Sequence, residues 1–218
     1  VSFFGEDVIY YFHQAKPKND TNGRNRVQME MNFEALKSQV TACTACELCK
    51  TRHNVVFGDG VPNAEVMFIG EGPGEQEDLQ GRPFVGRAGQ LLDKMLAVID
   101  LDRSKNIYIT NMVKCRPPQN RDPLPAEQEQ CIAYLRGQVA AIRPKIIVCL
   151  GRIAACRLIS KDFKVTKQHG MWFEKNGVLM MGTFHPAALL RYPAQKPAAF
   201  EDFTALRDKI QEICDHTY

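Results

Sequence analysis

The sequence predicts an α/β protein with three layers (α/β/α), in which helices cover both faces of a central, mostly parallel, four-stranded sheet. Four short runs rich in β-branched and aliphatic residues alternate with helical patterns between residues 64 and 214. Apolar runs of this kind are typical of parallel strands that are buried on both faces. A length of 218 residues, of which 44% are hydrophobic, is sufficient for one substantial core.

Strands and helices follow one another regularly along this part of the chain. The predicted strands are AEVMFIG (64–70), NIYITN (106–111), KIIVCLG (145–151) and VLMMGTF (178–184). The predicted helices are AGQLLDKMLAVID (88–100), PAEQEQCIAYLRGQVAAI (125–142), RIAACRLI (152–159) and AAFEDFTALRDKIQEIC (198–214). Because a helical segment separates each strand from the next, we expect the sheet to be mostly parallel.

The first 38 residues differ in character from the rest. An apolar patch, VIYYF, is followed by the polar segment KPKNDTNGRNR, which is typical of a flexible connection. A short helix around NFEALKSQV then leads to a group of cysteines. The sequence therefore predicts a partly flexible N-terminal extension at residues 1–38 and one folded domain at residues 39–218.

The composition indicates a soluble protein rather than a membrane protein. The formal net charge of +3 permits a nucleic-acid partner without requiring one. No apolar stretch approaches the roughly 20 residues needed to span a bilayer. The first residues lack a basic n-region, and Glu6 and Asp7 interrupt their apolar run. We therefore expect a cytoplasmic protein with no membrane partner.

Polar or cyclic residues follow three of the four predicted strands directly. The segment GEGPG follows the first strand, Asn111 ends the second, and His185 follows the last within FHPAALLR. Ligands of open α/β sheets bind beyond the carboxyl ends of the strands. The sequence therefore predicts a site at this edge of the sheet.

The glycine-rich segment at residues 70–74 lacks the features of a phosphate-binding loop. Glu75 stands where the third glycine of a dinucleotide fingerprint belongs, and no G-x-x-x-x-G-K-[ST] run occurs. Its acidic residues also oppose an anion, so the glycines favour close approach of a flat, neutral group. Phe84 is a candidate to stack on that group, and its alternative is an ordinary core residue.

Eight cysteines are many for a protein of this class. Cys43 and Cys46 have C-x-x-C spacing, and two remote thiols, Cys115 and Cys131, complete a possible four-sulfur site for zinc or an iron–sulfur cluster. Cys49 is either a substitute ligand or a bystander. Buried thiols that behave as small hydrophobic side chains account for Cys149 and Cys156, and Cys214 has no predicted role. This usage fits a reducing cytosol better than a disulfide framework.

Four ordered motifs together resemble one enzyme family. They are CTACELCKTR, GEGPGEQEDLQGRPFVGRAGQLLD, YITNMVKCRPPQNRDP and HPAALLR. The combination resembles the bacterial and archaeal family 4 uracil-DNA glycosylases over residues 39–213. The resemblance implies a monofunctional DNA-repair hydrolase that cleaves the N-glycosidic bond of uracil in DNA by base flipping and leaves an abasic site.

The resemblance also implies a role for each pocket residue. Glu71 and Gly72 would line the floor of the pocket, and Phe84 would stack on the flipped uracil. Asn111 would donate to uracil O4 and accept from N3–H, whereas cytosine presents the reverse pattern. His185 would stabilise the negative charge that grows on uracil O2 as the bond breaks.

Two further expectations concern specificity and the attacking water. Glu77 is a candidate to crowd uracil C5 and so exclude the methyl group of thymine. Better-known uracil-DNA glycosylases carry an aspartate where this chain has Gly72, so Glu71 becomes the candidate that positions the water. Residues 112–125 contain no histidine and no insertion, so we expect ordinary turnover rather than a covalent link to DNA.

The cofactor and DNA contacts are likewise implied by the resemblance. A structural [4Fe-4S] cluster would be held by Cys43, Cys46, Cys115 and Cys131. Leu189 or Leu190 would be the wedge that fills the space left by the flipped base, or else a core leucine. Phosphates would be contacted by basic residues, some of which are otherwise solvated surface charges: Lys114, Arg116, Arg121, Arg191 and Lys196.

The expected partner is uracil-containing DNA, double- or single-stranded, bound by a monomer. Two other classes of protein remain as alternatives. One is a catalytically silent DNA-binding or polymerase-accessory module of the same fold. The other is a zinc protein with unrelated hydrolase chemistry. Release of free uracil from an oligonucleotide and absorbance near ~400 nm, which iron–sulfur clusters show and zinc does not, distinguish these alternatives.

Overall fold

The structure is a computed structural model that describes residues 24–218, with side chains described from residue 33 onward. The apolar patch and most of the polar connection predicted in the N-terminal extension lie outside the described residues. Among the described residues, no helix is both long and apolar enough to cross a membrane.

One mixed sheet forms the centre of the molecule. Its six strands are β1 (Asp59–Gly60), β2 (Val66–Gly70), β3 (Ile107–Asn111), β4 (Ile146–Leu150), β5 (Trp172–Lys175) and β6 (Val178–Thr183). They lie in the order β1-β3-β2-β4-β6-β5. The four predicted strands are β2, β3, β4 and β6, and they pair in parallel at its centre.

The predicted number of four strands is wrong because the sheet has an additional antiparallel strand at each edge. β1 pairs with β3, and β5 pairs with β6. β1 contains only two residues, and β5 is mostly half-buried, so neither carries the continuous apolar pattern that marks a central strand. The predicted class, three-layer α/β/α with a mostly parallel sheet, is confirmed.

Eight α-helices lie within the described part of the chain. They are α1 (Arg24–Thr41), α2 (Glu75–Gln80), α3 (Arg87–Ala97), α4 (Pro125–Ile142), α5 (Arg152–Leu158), α6 (Val165–Gln168), α7 (Pro186–Arg191) and α8 (Lys196–Ile213). α4 has the bounds that the sequence predicts, because Pro125 pre-sets the helical φ at its first position. The helices predicted at 88–100, 152–159 and 198–214 differ from α3, α5 and α8 by one to three residues at their ends.

Strand residues alternate between two cores, one on each face of the sheet. Met67 and Ile69 of β2 face the core that also contains residues of α4 and α5. Val66 and Phe68 face the core built with α3 and α8. Burial on both faces explains why β2 has no polar residue in its interior.

Helix α1 continues across the boundary predicted after residue 38. Phe33 makes edge-to-face contacts with Phe57 and Tyr108, with ring centroids 5.3 and 5.8 Å apart. Leu36 lies against Gly137 of α4, where a Cβ would be 2.9 Å from its Cδ2 atom. This part of the predicted extension is therefore packed onto the domain.

A buried carboxylate fastens the C-terminal segment to the start of β2. Glu65 accepts hydrogen bonds from the backbone N–H groups of Asp215 and His216 and from the Thr217 hydroxyl. Lys145 lies 2.9 Å from the same carboxylate. Burial alone would raise the pKa of Glu65, but these donors together lower it to about 2.

Candidate functional site

The parallel pairing of β2 with β3 brings the ends of these two strands together. Gly70 is in register with Asn111. A Cβ atom on Gly70 would lie 2.5 Å from both Asn111 Oδ1 and Phe84 Cζ. The missing side chain of Gly70 therefore makes the space in which the asparagine amide and the phenyl ring lie side by side.

The main chains remain paired just beyond the two strand ends. Met112 N–H donates to Gly70 O over 2.9 Å, and Val113 N–H donates to Glu71 O over 3.1 Å. A Cβ on Gly72 would lie 2.8 Å from Val113 Cγ2. Gly72 thus allows the glycine-rich loop to lie directly against the chain that follows β3.

His185 follows β6 and meets the same cluster. Its ring centroid lies 5.8 Å from that of Phe84, with 33° between the ring planes. Gly151, directly after β4, has a φ of +88°, and a Cβ there would lie 2.8 Å from His185 Cβ. The carboxyl ends of β3 and β6 therefore bring Asn111 and His185 to one edge of the sheet, where the loop between α2 and α3 places Phe84 beside them.

The carbonyl oxygen of the Asn111 side chain is buried. This Oδ1 atom has no hydrogen-bond partner among the described residues. An unpaired buried acceptor costs about 1–3 kcal/mol, so such groups in folded proteins are nearly always paired with protein atoms or ordered water. Asn111 Oδ1 is therefore a candidate acceptor for a donor group of a bound molecule.

The surroundings of His185 keep its imidazole neutral. The Ala187 N–H donates to His185 Nδ1 over 3.1 Å at the start of α7. Burial, followed by the positive charge of Arg191, lowers the pKa of His185 to about 4. With Nδ1 accepting, the single proton of the neutral ring is on Nε2, which is then a hydrogen-bond donor.

The pKa of Glu71 is shifted in the opposite direction from that of His185. Burial, followed by the carboxylate of Asp122, raises the pKa of Glu71 to about 7, although Arg152 and Arg191 lower it in part. A carboxyl group that titrates near neutral pH is suited to accept a proton from water. Sequence motifs did not identify Asp122 or Arg152 as neighbours of this group, although Arg152 directly follows a strand end in the segment GR.

Glu77 holds together the loop that carries Phe84. Its Oε2 atom accepts from Gly74 N–H over 3.1 Å, and its Oε1 atom accepts from the N–H groups of Val85 and Gly86, each over 2.8 Å. Phe84 has a φ of +53°, which for a bulky residue costs about 1–3 kcal/mol and requires support from its surroundings. The Glu77 carboxylate supplies part of that support.

A second site lies on the other side of the segment that follows β3. One cavity is lined by the four cysteines predicted as ligands, by Cys49, and by Arg52 and Tyr134. Three of the four predicted sulfurs accept an N–H hydrogen bond: Cys43 from Ala45, Cys115 from Arg52 and Cys131 from Lys114. Such donors stabilise thiolates.

The second site has the donor set of a metal centre. Thiols that line one cavity can hold either a zinc ion or an iron–sulfur cluster. Among the described residues, no three histidine, cysteine or acidic side chains converge closely enough to hold one metal ion.

Comparison with known proteins decides between the remaining interpretations. The model of the uracil DNA glycosylase superfamily matches residues 57–206. The chain is 45% identical to the type-4 uracil-DNA glycosylase of Archaeoglobus fulgidus over 191 residues, which are 84% of this chain and 94% of that protein. The chain belongs to the type-4 uracil-DNA glycosylase family.

A second type-4 relative agrees with this assignment, and part of a DNA polymerase is also similar to the chain. The type-4 enzyme of Thermotoga maritima is 45% identical over 163 residues, which are 73% of this chain and 83% of that protein. A DNA polymerase of Bacillus phage SP01 is 27% identical over 154 residues, which are 71% of this chain but 17% of the polymerase. The predicted family and its activity, hydrolysis of the N-glycosyl bond of uracil in DNA for repair, are confirmed.

The predicted phosphate contact of Lys114 is wrong for this glycosylase. The residue is 1% exposed. Its Nζ atom donates to Thr110 Oγ1 over 2.6 Å, to Asn111 O over 2.8 Å and to Gln138 Oε1 over 2.6 Å. Lys114 therefore crosses the interior beneath Asn111 and does not reach the glycosylase surface.

The two predicted wedge leucines lie in different environments. Leu189 is buried in a small core with Phe184 and Ala199, so the prediction that it contacts DNA is wrong and its alternative as a core leucine holds. Leu190 is 37% exposed at the end of α7. Leu190 therefore remains the candidate for the wedge of the glycosylase.

The other predicted phosphate-binding residues divide by their partners. Arg116 is half-buried and donates to Asn120 Oδ1 over 2.8 Å, with Glu75 3.7 Å away. Arg121 forms a two-point ion pair with Glu127. Arg191 and Lys196 are exposed, next to α7 and its wedge candidate. Within the glycosylase, the last two are the better candidates for phosphate contacts.

Proposed function

We propose that the pocket formed by Asn111, Phe84 and His185 receives a uracil base flipped out of DNA. The unpaired, buried Oδ1 atom of Asn111, beside an aromatic ring, carries this proposal. Extrusion of a base costs a few kcal/mol of pairing and stacking. A preformed hydrogen-bond acceptor and an aromatic ring on which the base stacks offset part of this free energy.

Uracil is distinguished from cytosine by the direction of two hydrogen bonds. Asn111 Oδ1 accepts from uracil N3–H, and its amide nitrogen donates to O4. Cytosine offers an acceptor at N3 and a donor at its amino group, so both contacts fail and buried polar groups are left unpaired. Phe84 stacks on the base, and its ring tolerates either pyrimidine.

Thymine is excluded by a side chain that hydrogen bonds hold in place. Glu77 is fixed by the N–H groups of Gly74, Val85 and Gly86. Its charge also raises the pKa of His185 slightly against the larger effects, which supports its proximity to the pocket. A rigid side chain near uracil C5 leaves no room for a methyl group.

Two groups act on the bond that breaks. His185 donates its Nε2–H to uracil O2 and stabilises the developing anion, a contribution of about 3 kcal/mol for one oriented donor. Glu71, on the floor of the pocket with Gly72, orients a water and accepts its proton as the sugar becomes positively charged. A water that attacks the sugar completes the hydrolysis and leaves an abasic site.

Cys43, Cys46, Cys115 and Cys131 would hold a [4Fe-4S] cluster. The shared cavity and the N–H donors on three of the four sulfurs support this ligand set. The cluster would act as a structural cross-link between the loop after α1, the segment after β3 and helix α4. Cys49 lines the cavity and would remain a neighbour.

Leu190 fills the space vacated by the base, while Arg191 and Lys196 contact flanking phosphates. Exposure of these three residues around α7 supports this surface. Phosphate contacts make the affinity for DNA decrease with salt. We expect a monomer that acts on uracil-containing DNA, single- or double-stranded, in the cytoplasm.

A base-release assay with matched oligonucleotides tests the proposed base recognition. The Asn111→Asp variant should lose activity on uracil and gain measurable activity on cytosine, because a protonated carboxyl can present the opposite hydrogen-bonding pattern. The control is Asn176→Asp, at an exposed turn between β5 and β6. Unchanged preference in the Asn111 variant would remove this residue from base recognition.

A further inference from the structure

Arg103 lies behind the loop that carries Phe84 and takes no part in the proposed contacts to DNA. We propose that Arg103 is a positioning residue, which fixes the Phe84 ring at the height where it stacks on the base. The inference rests on the proposed stacking role of Phe84. No sequence motif identified Arg103, since it lies 19 positions from Phe84.

One guanidinium group binds two consecutive carbonyl groups. Arg103 Nη1 donates to Pro83 O over 2.7 Å, and Nη2 donates to Phe84 O over 2.9 Å. Asp93 accepts from Nη2 over 2.6 Å, and Asp59 lies 3.4 Å from Nη1. Arg103 is 11% exposed, so these bonds are formed largely out of contact with water.

Glu77 holds the following peptide groups from the other side. Its carboxylate accepts from the N–H groups of Val85 and Gly86. The carbonyl groups of Pro83 and Phe84 are therefore fixed by the positively charged Arg103. The N–H groups of Val85 and Gly86 are fixed by a negative charge, that of the Glu77 carboxylate. Together these bonds determine the left-handed backbone of Phe84, which a phenylalanine would otherwise rarely adopt.

Apolar packing holds the Phe84 ring, whereas hydrogen bonds hold its backbone. Phe84 is 5% exposed and belongs to the core that contains Leu92 and Leu96. Gly89 leaves room for the carbonyl oxygen of Phe84, since a Cβ at that position would overlap it. Hydrogen bonds from a planar two-point donor therefore fix the peptide groups from which the ring projects, and arginine supplies them where lysine cannot.

The test measures affinity for free uracil separately from affinity for DNA. In Arg103→Gln, the inhibition constant of free uracil should rise about tenfold and kcat should fall, since stacking on an aromatic ring contributes on this scale. The KM for DNA should change less than about twofold, because phosphate contacts are elsewhere. A variant that only loses its fold would not raise the inhibition constant of uracil while leaving the KM for DNA nearly unchanged.

Arg82→Gln is the matched control. Arg82 also binds Asp59, over 2.8 Å, but it is exposed and contacts neither carbonyl. Its uracil inhibition constant should equal that of the wild type. An equal effect of both variants would mean that Asp59 or local charge is responsible, which overturns the proposal.

A double variant tests whether Arg103 acts through Phe84. In the Phe84→Ala background, Arg103→Gln should change the uracil inhibition constant less than about twofold, because coupled residues are not additive. Equal effects in both backgrounds overturn the positioning role. If Phe84→Ala alone leaves uracil affinity unchanged, the stacking proposal itself fails.

Arg103→Lys covers the case in which the glutamine variant does not fold. It keeps the positive charge between Asp59 and Asp93 but lacks the planar fork, so we expect a loss of uracil affinity smaller than that of Arg103→Gln. Wild-type uracil affinity in a folded Arg103→Lys protein overturns the proposal.

Discussion

The base pocket and the cysteine site differ in how the fold holds their residues. Gly70 and Asn111 are paired in the sheet, and Phe84 and His185 meet directly above them. The four predicted cluster ligands come from a loop, the segment after β3 and helix α4, and no strand pairing joins them. The pocket is thus organised by the sheet, whereas the cysteine site depends on whatever binds its sulfurs.

The comparison predicts its largest effect on catalysis in the pocket, with a small effect on stability. His185→Ala should lower kcat about 100- to 1000-fold, because an oriented donor to a developing anion is lost. The absorbance at about 400 nm should not change, and loss of the bond from Ala187 N–H should lower the free energy of unfolding by only about 1 kcal/mol. Single-turnover release of uracil measures the first quantity. Full activity with His185 absent would contradict the assignment.

The cysteine site should show the opposite response. Cys131→Ser should abolish absorbance at about 400 nm and lower the melting temperature, because the proposed ligand set links three segments. Cys149→Ser, in the buried interior of β4, is the matched control and should keep the absorbance. A Cys131 variant with normal colour and iron content would exclude this residue as a ligand.

Titration of Glu71 should make catalysis depend on pH. The pKa of Glu71 is raised to about 7, and its ionised form is the one that accepts a proton, so kcat should rise about tenfold between about pH 6 and about pH 8. His185, with a pKa of about 4, stays neutral throughout this range. Glu71→Gln should flatten the profile. A variant that keeps the wild-type profile would assign the titration to another group.

The smallest effect should come from a residue outside both sites. The pKa of Glu65 is lowered to about 2 in the folded protein. The ionised carboxylate therefore stabilises the fold at any pH above the ordinary pKa of a glutamate, and this stabilisation is lost as the pH falls toward 2. Glu65→Gln should reduce the free energy of unfolding by about 2 kcal/mol at neutral pH.

Urea denaturation measures this loss, with Glu174→Gln on the exposed side of β5 as the control. The difference between the Glu65 variant and the wild type should shrink as the solution is acidified from about pH 5 toward about pH 2. Both glutamine variants should retain uracil release. A difference that is constant across this range would mean that the carboxylate charge is not the source.

The sequence predicted the centre of the sheet better than its edges. Continuous apolar runs identify β2, β3, β4 and β6 because each is buried on both faces. The edge strand β1 has two residues and leaves no such pattern. Strand ends also placed Asn111 and His185 correctly at one edge, since parallel strands deliver their carboxyl ends to the same side.

Residues whose roles depend on distant partners were harder to predict. Lys114 lies in a basic segment near Arg116, yet its side chain turns inward to reach Gln138 of helix α4. The bonds from Arg103 to the carbonyls of Pro83 and Phe84 likewise join segments about 20 positions apart. Local patterns of charge contain no information about such tertiary contacts.

A residue without a side chain sets the limits for redesign of this pocket. Any substitution at Gly70 would displace Asn111 or Phe84, since even one methyl group would lie 2.5 Å from each. Mutational libraries intended to change the preferred base should therefore keep this glycine constant. They should vary other residues of the pocket, where a new side chain can be accommodated without filling the space beside Gly70.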